Sequence, residues 1–265
     1  MRRLVRLGLQ AALTQSKRAG LVLGLFPSWL AGTPADWPKQ LKLVGFPLAE
    51  QPAEDSALEL ELRSFLAAAR ESSQPVYAFA LGSAPPPYAC EYFATAVEAC
   101  RRLGARAVLL CTVEGVVPDP LPEHAYRAVF APFSALLQHV AVFSFNGGIG
   151  GVSEALRAGT PQVCAAALAI LEAADGQLRP RQLITPGRFD QPDNAERMVR
   201  LGVATRLNIC DWNVERCSAA LEKLRSSPSV RAACAAAAAH FTQATQATSA
   251  AQAAQLVAEL ASAPA

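Results

Sequence analysis

The sequence predicts an α/β protein built on a Rossmann-like parallel sheet. Three observations carry that prediction. From residue 76 onward, short apolar runs of strand length alternate with longer segments of helical spacing. One such run, 140–145, leads without a break into Asn146-Gly147-Gly148-Ile149-Gly150-Gly151. Hydrophobic residues make up 52% of the 265 positions and charged residues 17%, enough apolar material for a buried sheet and too little charge for disorder.

Taken in order, residues 21–26 read as a short buried strand. The stretch after them is rich in Pro and aromatic residues, and prolines 27, 34, 38 and 47 forbid a long helix. Residues 49–73 are acidic with helical spacing, and Leu58, Leu62, Phe65 and Leu66 share a face. A strand over 76–81 ends at Gly82-Ser83. A helix over 87–103 sets Phe93, Val97, Cys100 and Leu103 on one side and is capped by Gly104. Strands follow at 107–111 and 128–130, the second running into Ala131-Pro132-Phe133.

After the glycine turn, Val152, Ala155 and Leu156 recur at helical spacing until Gly159 ends the helix. Asp193-Asn194-Ala195-Glu196 has the form of a capping box for a helix that stops near Gly202. Residues 204–207 are a last short strand, and the chain is helical from Asn213. The alanine tract 232–239 is weakly specified, and the tail after Thr242 reads as frayed or low-complexity.

The glycine turn suggests a chemistry. A strand, a glycine-rich turn and a helix start together aim backbone N–H groups and the positive helix end at one point, which suits a phosphate. It is not a full dinucleotide fingerprint, because Ser153 stands where the third glycine belongs; nor is it a serine-hydrolase elbow, because Ala155 stands where GxSxG ends in glycine. A plain tight turn is the simpler alternative.

The formal net charge of +2 and the lack of any basic block interleaved with aromatics argue against nucleic acid as a partner. Seven cysteines form no CxxC pair, and three histidines stand at no metal-ligand spacing with them, so no metal is expected. Such thiols fit a reduced, cytoplasmic setting. A basic start before the apolar run 19–31 imitates a signal peptide, but Pro27 and Trp29 interrupt that run.

The glycine turn with Glu154, the Ala-Gly-Thr-Pro-Gln that follows, and the later Phe189-Asp190-Gln191-Pro192-Asp193-Asn194 resemble the nucleotide-sugar-binding, C-terminal half of GT-B glycosyltransferases of the UDP/dTDP-sugar type. Within that family the likeness is closest to bacterial-type rhamnosyltransferase catalytic subunits, and it runs from about residue 21 to 207. It implies a donor site with no cofactor beyond the UDP- or dTDP-sugar. Gly82 and Ser83 would face the diphosphate cleft. Phe130 would stack on the base and Phe133 would stand where its edge is read. Gly147, Gly148, Gly150 and Gly151 would hold the diphosphate, Glu154 the ribose hydroxyls, and Asp190 with Gln191 the donor sugar. Two residues depart from the family. Asn146 replaces a common histidine, and Gly151 replaces a Thr or Ser that gives its hydroxyl to the phosphate. No residue matches the family's catalytic histidine, so none is assigned.

The resemblance also implies a division of the chain. Residues 1–70 would be a remnant of an acceptor domain and linker, with most of that domain missing, and 71–265 the nucleotide-sugar domain. Residues 163–182 interrupt the family's strand and read as an insertion, either a surface helix or translated non-coding sequence. The partners implied are a nucleotide sugar and a separate acceptor-domain chain, with membrane contact only through a lipid acceptor. Two alternatives stand beside this: a non-catalytic binding subunit, and an NAD-binding Rossmann-like protein in which Glu172 would meet a ribose.

Overall fold

The computed structural model describes residues 19–33, 35, 37–48, 54–82, 86–166 and 190–262. They form two compact units. One comprises Met1–Glu50 with His240–Ala265, and the other Gln51–Ala239. The units divide at 50/51, where the sequence suggested a division near 70.

In the first unit, β1 (Val22–Gly24) pairs in parallel with β2 (Leu41–Leu43), a strand the sequence reading did not identify. Trp29 stacks on His240 at 4.6 Å, and Phe46 lies parallel to Phe241 at 5.9 Å. The tail expected to fray is helical over Gln243–Ser262.

The second unit carries the sheet. Its strands are β3 (Val76–Ala80), β4 (Arg106–Leu110), β5 (Ala125–Ala128), β6 (Val142–Phe145), β7 (Gln162–Ala166) and β8 (Ala204–Asn208), all parallel, in the order β5-β4-β3-β6-β7-β8. Counting from β3, this is the doubly wound order 3-2-1-4-5-6. The strand before the glycine turn is central, as expected. β5 runs 125–128 rather than 128–130, so Phe130 lies beyond the strand.

The helices are α1 (Leu60–Glu71), α2 (Ala89–Arg102), a short α3 (Phe133–Leu136), α4 (Ile149–Ala158), α5 (Gln191–Arg200), α6 (Val214–Ser226) and α7 (Pro228–Ala238). Strand alternation sends β6 side chains to two different layers. Ser144 faces α2, whose Tyr92 hydroxyl donates to the Ser144 carbonyl at 3.0 Å, while Trp212 Nε1–H donates to the Tyr92 carbonyl at 3.2 Å. Phe143 and Phe145 face the other way and stack on each other at 4.6 Å. The core around Tyr77, Phe79, Phe93, Leu109 and Leu221 holds the α2 and α6 layer to the sheet. Burial of such side chains is the main stabilising term.

Two local expectations are corrected. Val163 begins no insertion outside the sheet: residues 163–166 are strand, paired with Ser144 and Phe145 on one side and with 205–208 on the other. The rest of the expected insertion, including Glu172, lies outside the described residues. The capping box at Asp193 does not form either. Pro192 sits in the first turn, where its missing N–H costs nothing, and the helix starts earlier, at Gln191.

Candidate nucleotide-binding site

In an open doubly wound sheet, a crevice opens at the carboxyl ends of the two strands where the order reverses. Here those strands are β3 and β6, and the residues just past them are Gly82 and Asn146. Gly82 has φ +80, and a side chain there would press on Asn146 Nδ2 at 3.1 Å. Asn146 Nδ2 donates to the Leu81 carbonyl at 3.3 Å, and its Oδ1 accepts from the Gly148 N–H at 3.2 Å. The asparagine therefore ties the end of β3 to the turn and keeps one further N–H of its amide. Ser83 lies outside the described residues.

Gly147 turns with φ +81, and Gly148 is the N-cap of α4. The first bond of α4 runs from the Val152 N–H to the Gly148 carbonyl at 3.0 Å, leaving the N–H groups of Ile149, Gly150 and Gly151 without an intrahelical acceptor. No atom lies within 4 Å of where a Gly150 side chain would begin, so the main chain is open to approach there. At Gly151 the situation is the reverse: a Cβ would come within 2.7 Å of the Phe145 ring. That ring leaves no room for the hydroxyl residue the family carries, which gives the glycine a packing reason. Ser153 turns inward, its hydroxyl donating to the Gly150 carbonyl at 2.9 Å.

Asp190 and Gln191 reach the same turn from α5. The Gln191 carbonyl lies 3.1 Å from the position a Gly147 Cβ would take. Asp190 does not cap the helix through its side chain; its carboxylate accepts from Asn194 Nδ2 at 2.8 Å. Asn194 Nδ2 also donates to the Gly147 carbonyl at 3.1 Å, so this buried amide fastens α5 to the turn. Sequence reasoning missed that role by assigning Asn194 to a capping box.

Glu154 is no solvated helix-face carboxylate. It is largely buried and paired with Arg157 on the next turn. Burial raises its pKa, and Arg157 offsets the rise only in part. Phe130 stands 68% exposed just past β5, while Phe133 is half-buried with its ring 5.2 Å from Phe143. Phe130 is therefore not a core residue.

A His–carboxylate pair of the same unit stands elsewhere. His139 Nε2 donates to Asp55 Oδ1 at 2.7 Å, but His139 precedes β6 and so lies at the amino ends of the strands. Among the described residues, no group of His, Cys, Asp or Glu could hold a metal ion. Five of the seven cysteines are buried, and burial pushes the thiols of Cys164 and Cys217 up to about 12, where they are inert. Among the described residues no helix is long and apolar enough to cross a membrane.

No family model matches the chain. It is 30% identical over 199 residues to O-mycaminosyltylonolide 6-deoxyallosyltransferase of Streptomyces fradiae, spanning 74% of this chain and 40% of that protein. Among solved structures, the glycosyltransferase of kitacinnamycin superposes with a TM-score of 0.65 at 25% identity, over 91% of this chain and 54% of that one. Sequence and fold both match those of GT-B glycosyltransferases. The glycosyltransferase VinC, solved in complex with dTDP, shares the fold with a TM-score of 0.58 at 24% identity, over 83% of this chain and 47% of its own. The present chain thus spans about half the length of the GT-B structures it matches and less of the curated relative.

Proposed function

We propose that this chain supplies the donor site of a glycosyltransferase that takes a UDP- or dTDP-linked hexose for transfer to a small or lipid acceptor. The observation that carries the reading is the crevice between β3 and β6. There, three first-turn N–H groups of α4, the spare N–H of Asn146 and the Asp190-Gln191 pair border one open point. Sugar transfer needs the charge growing on the leaving diphosphate to be stabilised, and pre-aimed backbone N–H groups do that without reorganising. The Glu154 carboxylate is the acceptor for the ribose hydroxyls, with Arg157 holding it ionised. Phe130 offers the base a ring, and Asp190 with Gln191 addresses the sugar. The dTDP bound to VinC supports a pyrimidine nucleoside diphosphate as the common ligand.

The reaction's second need is a general base for the acceptor hydroxyl. The His139–Asp55 pair is at the wrong end of the sheet for that work. The base and the acceptor's binding surface are therefore assigned to a further domain or a separate chain. Titration calorimetry with UDP, dTDP, their hexose conjugates and NAD tests the reading. Nucleotide-sugar binding without measurable transfer is expected; binding of NAD alone, or robust transfer by this chain without a partner, would overturn it.

A further inference from the structure

A second site lies away from the crevice, near the amino ends of the strands. Arg63 and Arg70 are seven residues apart on α1, two helical turns, and so share one face with Leu66 between them. That face and the His139–Asp55 pair line a recess of about 60 Å³. Arg63 Nε is buried and has no hydrogen-bond partner among the described residues. A desolvated cationic donor without an acceptor is costly, and native structures seldom leave one unanswered.

Here the ordinary remedies are missing. Asp55, the carboxylate that lines the recess, is engaged by His139 at 2.7 Å, and neither arginine makes an ion pair among the described residues. The geometry points to a binding site for a small inorganic oxyanion, phosphate or sulfate, held by Arg63 and Arg70. The size of the recess admits a group of a few atoms and no more. Donors on two turns of α1 approach such a group from different directions, which a tetrahedral oxyanion can accept and a planar carboxylate cannot equally well. His139 stays bonded to Asp55 and so balances that carboxylate's Oδ1 at the edge of the site. An ion held by both arginines would tie two turns of α1 together.

The test is thermal melting of the full chain in inorganic phosphate or sulfate, against chloride at matched ionic strength. At ten times its Kd, an ion bound only to the folded chain should raise Tm by about 3 °C. Arg63→Met and Arg70→Gln should each weaken the response at least about tenfold, as loss of a charge-assisted bond does. In phosphate-free buffer, Arg63→Met should melt no lower than the parent chain, because it removes a buried donor that has nothing to donate to. Should Arg63→Met fail to fold, Arg70→Gln carries the test, since Arg70 is exposed. An unchanged response in Arg70→Gln would place the ion elsewhere, for example at the glycine turn. That result, an equal response to chloride, or no response at all would overturn the proposal.

Discussion

At the carboxyl ends of β3 and β6 the polar side chains answer one another. Asn146 bonds to Leu81 and Gly148, and Asn194 to Gly147 and Asp190, while the unanswered donors are first-turn backbone N–H groups beside the open main chain at Gly150. At the amino ends it is a side chain, Arg63, whose buried Nε is left unanswered beside a small recess. The first arrangement leaves the protein able to fold with its site empty, because exposed backbone donors can turn to water. The second puts strain on the fold until something fills it. A ligand site that must bind and release repeatedly is better built the first way, and a structural ion site tolerates the second.

The comparison breaks most visibly if the carboxyl end is overpacked. Gly151→Thr would drive new atoms into the Phe145 ring, itself fixed by stacking on Phe143. It should destabilise the chain by about 2–3 kcal/mol. Phe145→Leu in the same chain should return much of that loss, and the pair should show coupling in a double-mutant cycle of denaturant melts. Independent, additive losses would show that the ring is not what requires the glycine.

Next comes the clasp at Asn194. Asn194→Ala removes both bonds and leaves the Gly147 carbonyl unanswered near a buried position, at a cost of about 1–2 kcal/mol. Calorimetry should also show weaker nucleotide binding, since the turn loses its tie to α5. A loss of stability with unchanged binding would separate the clasp from the site.

These two residues also mark where the sequence was legible. The glycine turn reads directly because its residues are consecutive, and hydrophobic spacing placed β3, β4, β6 and β8 within two residues of their observed ends. β5 was misplaced because it is an edge strand with Tyr126 and Arg127 half-exposed, so no apolar run announces it. Asn194 was hidden because its partners lie 47 and 4 residues away and its local pattern imitates a cap. The recess escaped for a like reason: His139 meets Asp55 and the α1 face only through topology.

Glu154 gives a pH test of how the site is held ready. Its folded pKa is raised, so between the unperturbed value of 4.5 and that raised value the folded chain holds more of the proton than the unfolded chain. Stability from this group therefore falls as pH rises through that window, and the cost of the buried charge is fully present above it. Glu154→Gln should flatten that slope in denaturant melts. Nucleotide binding needs the ionised acceptor, so it should weaken on acidification in the parent chain. In Glu154→Gln it should be about tenfold weaker at neutral pH and insensitive over the same window. An unchanged pH profile of binding would remove Glu154 from the ribose.

Phe130 should have the smallest effect on the fold and so gives the sharpest separation of folding from binding. Its ring is 68% exposed, beyond the end of an edge strand, and no aromatic partner is found for it among the described residues. Truncating an exposed side chain usually moves stability by less than about 0.5 kcal/mol. Stacking a base on such a ring, by contrast, is worth about 1–3 kcal/mol by alanine substitution, or roughly 5- to 150-fold in affinity. Phe130→Ala should therefore melt with the parent chain and bind dTDP at least about fivefold more weakly, while Phe130→Tyr and Phe130→Trp should keep the affinity. Phe133→Ala is the control: its ring is already committed to Phe143 at 5.2 Å, so its loss should lower stability as well as binding. If Phe130→Ala instead unfolds the chain, the ring is structural after all. If it leaves both stability and affinity untouched, the base is held elsewhere, and the exposed ring is available to whatever domain or chain brings the acceptor.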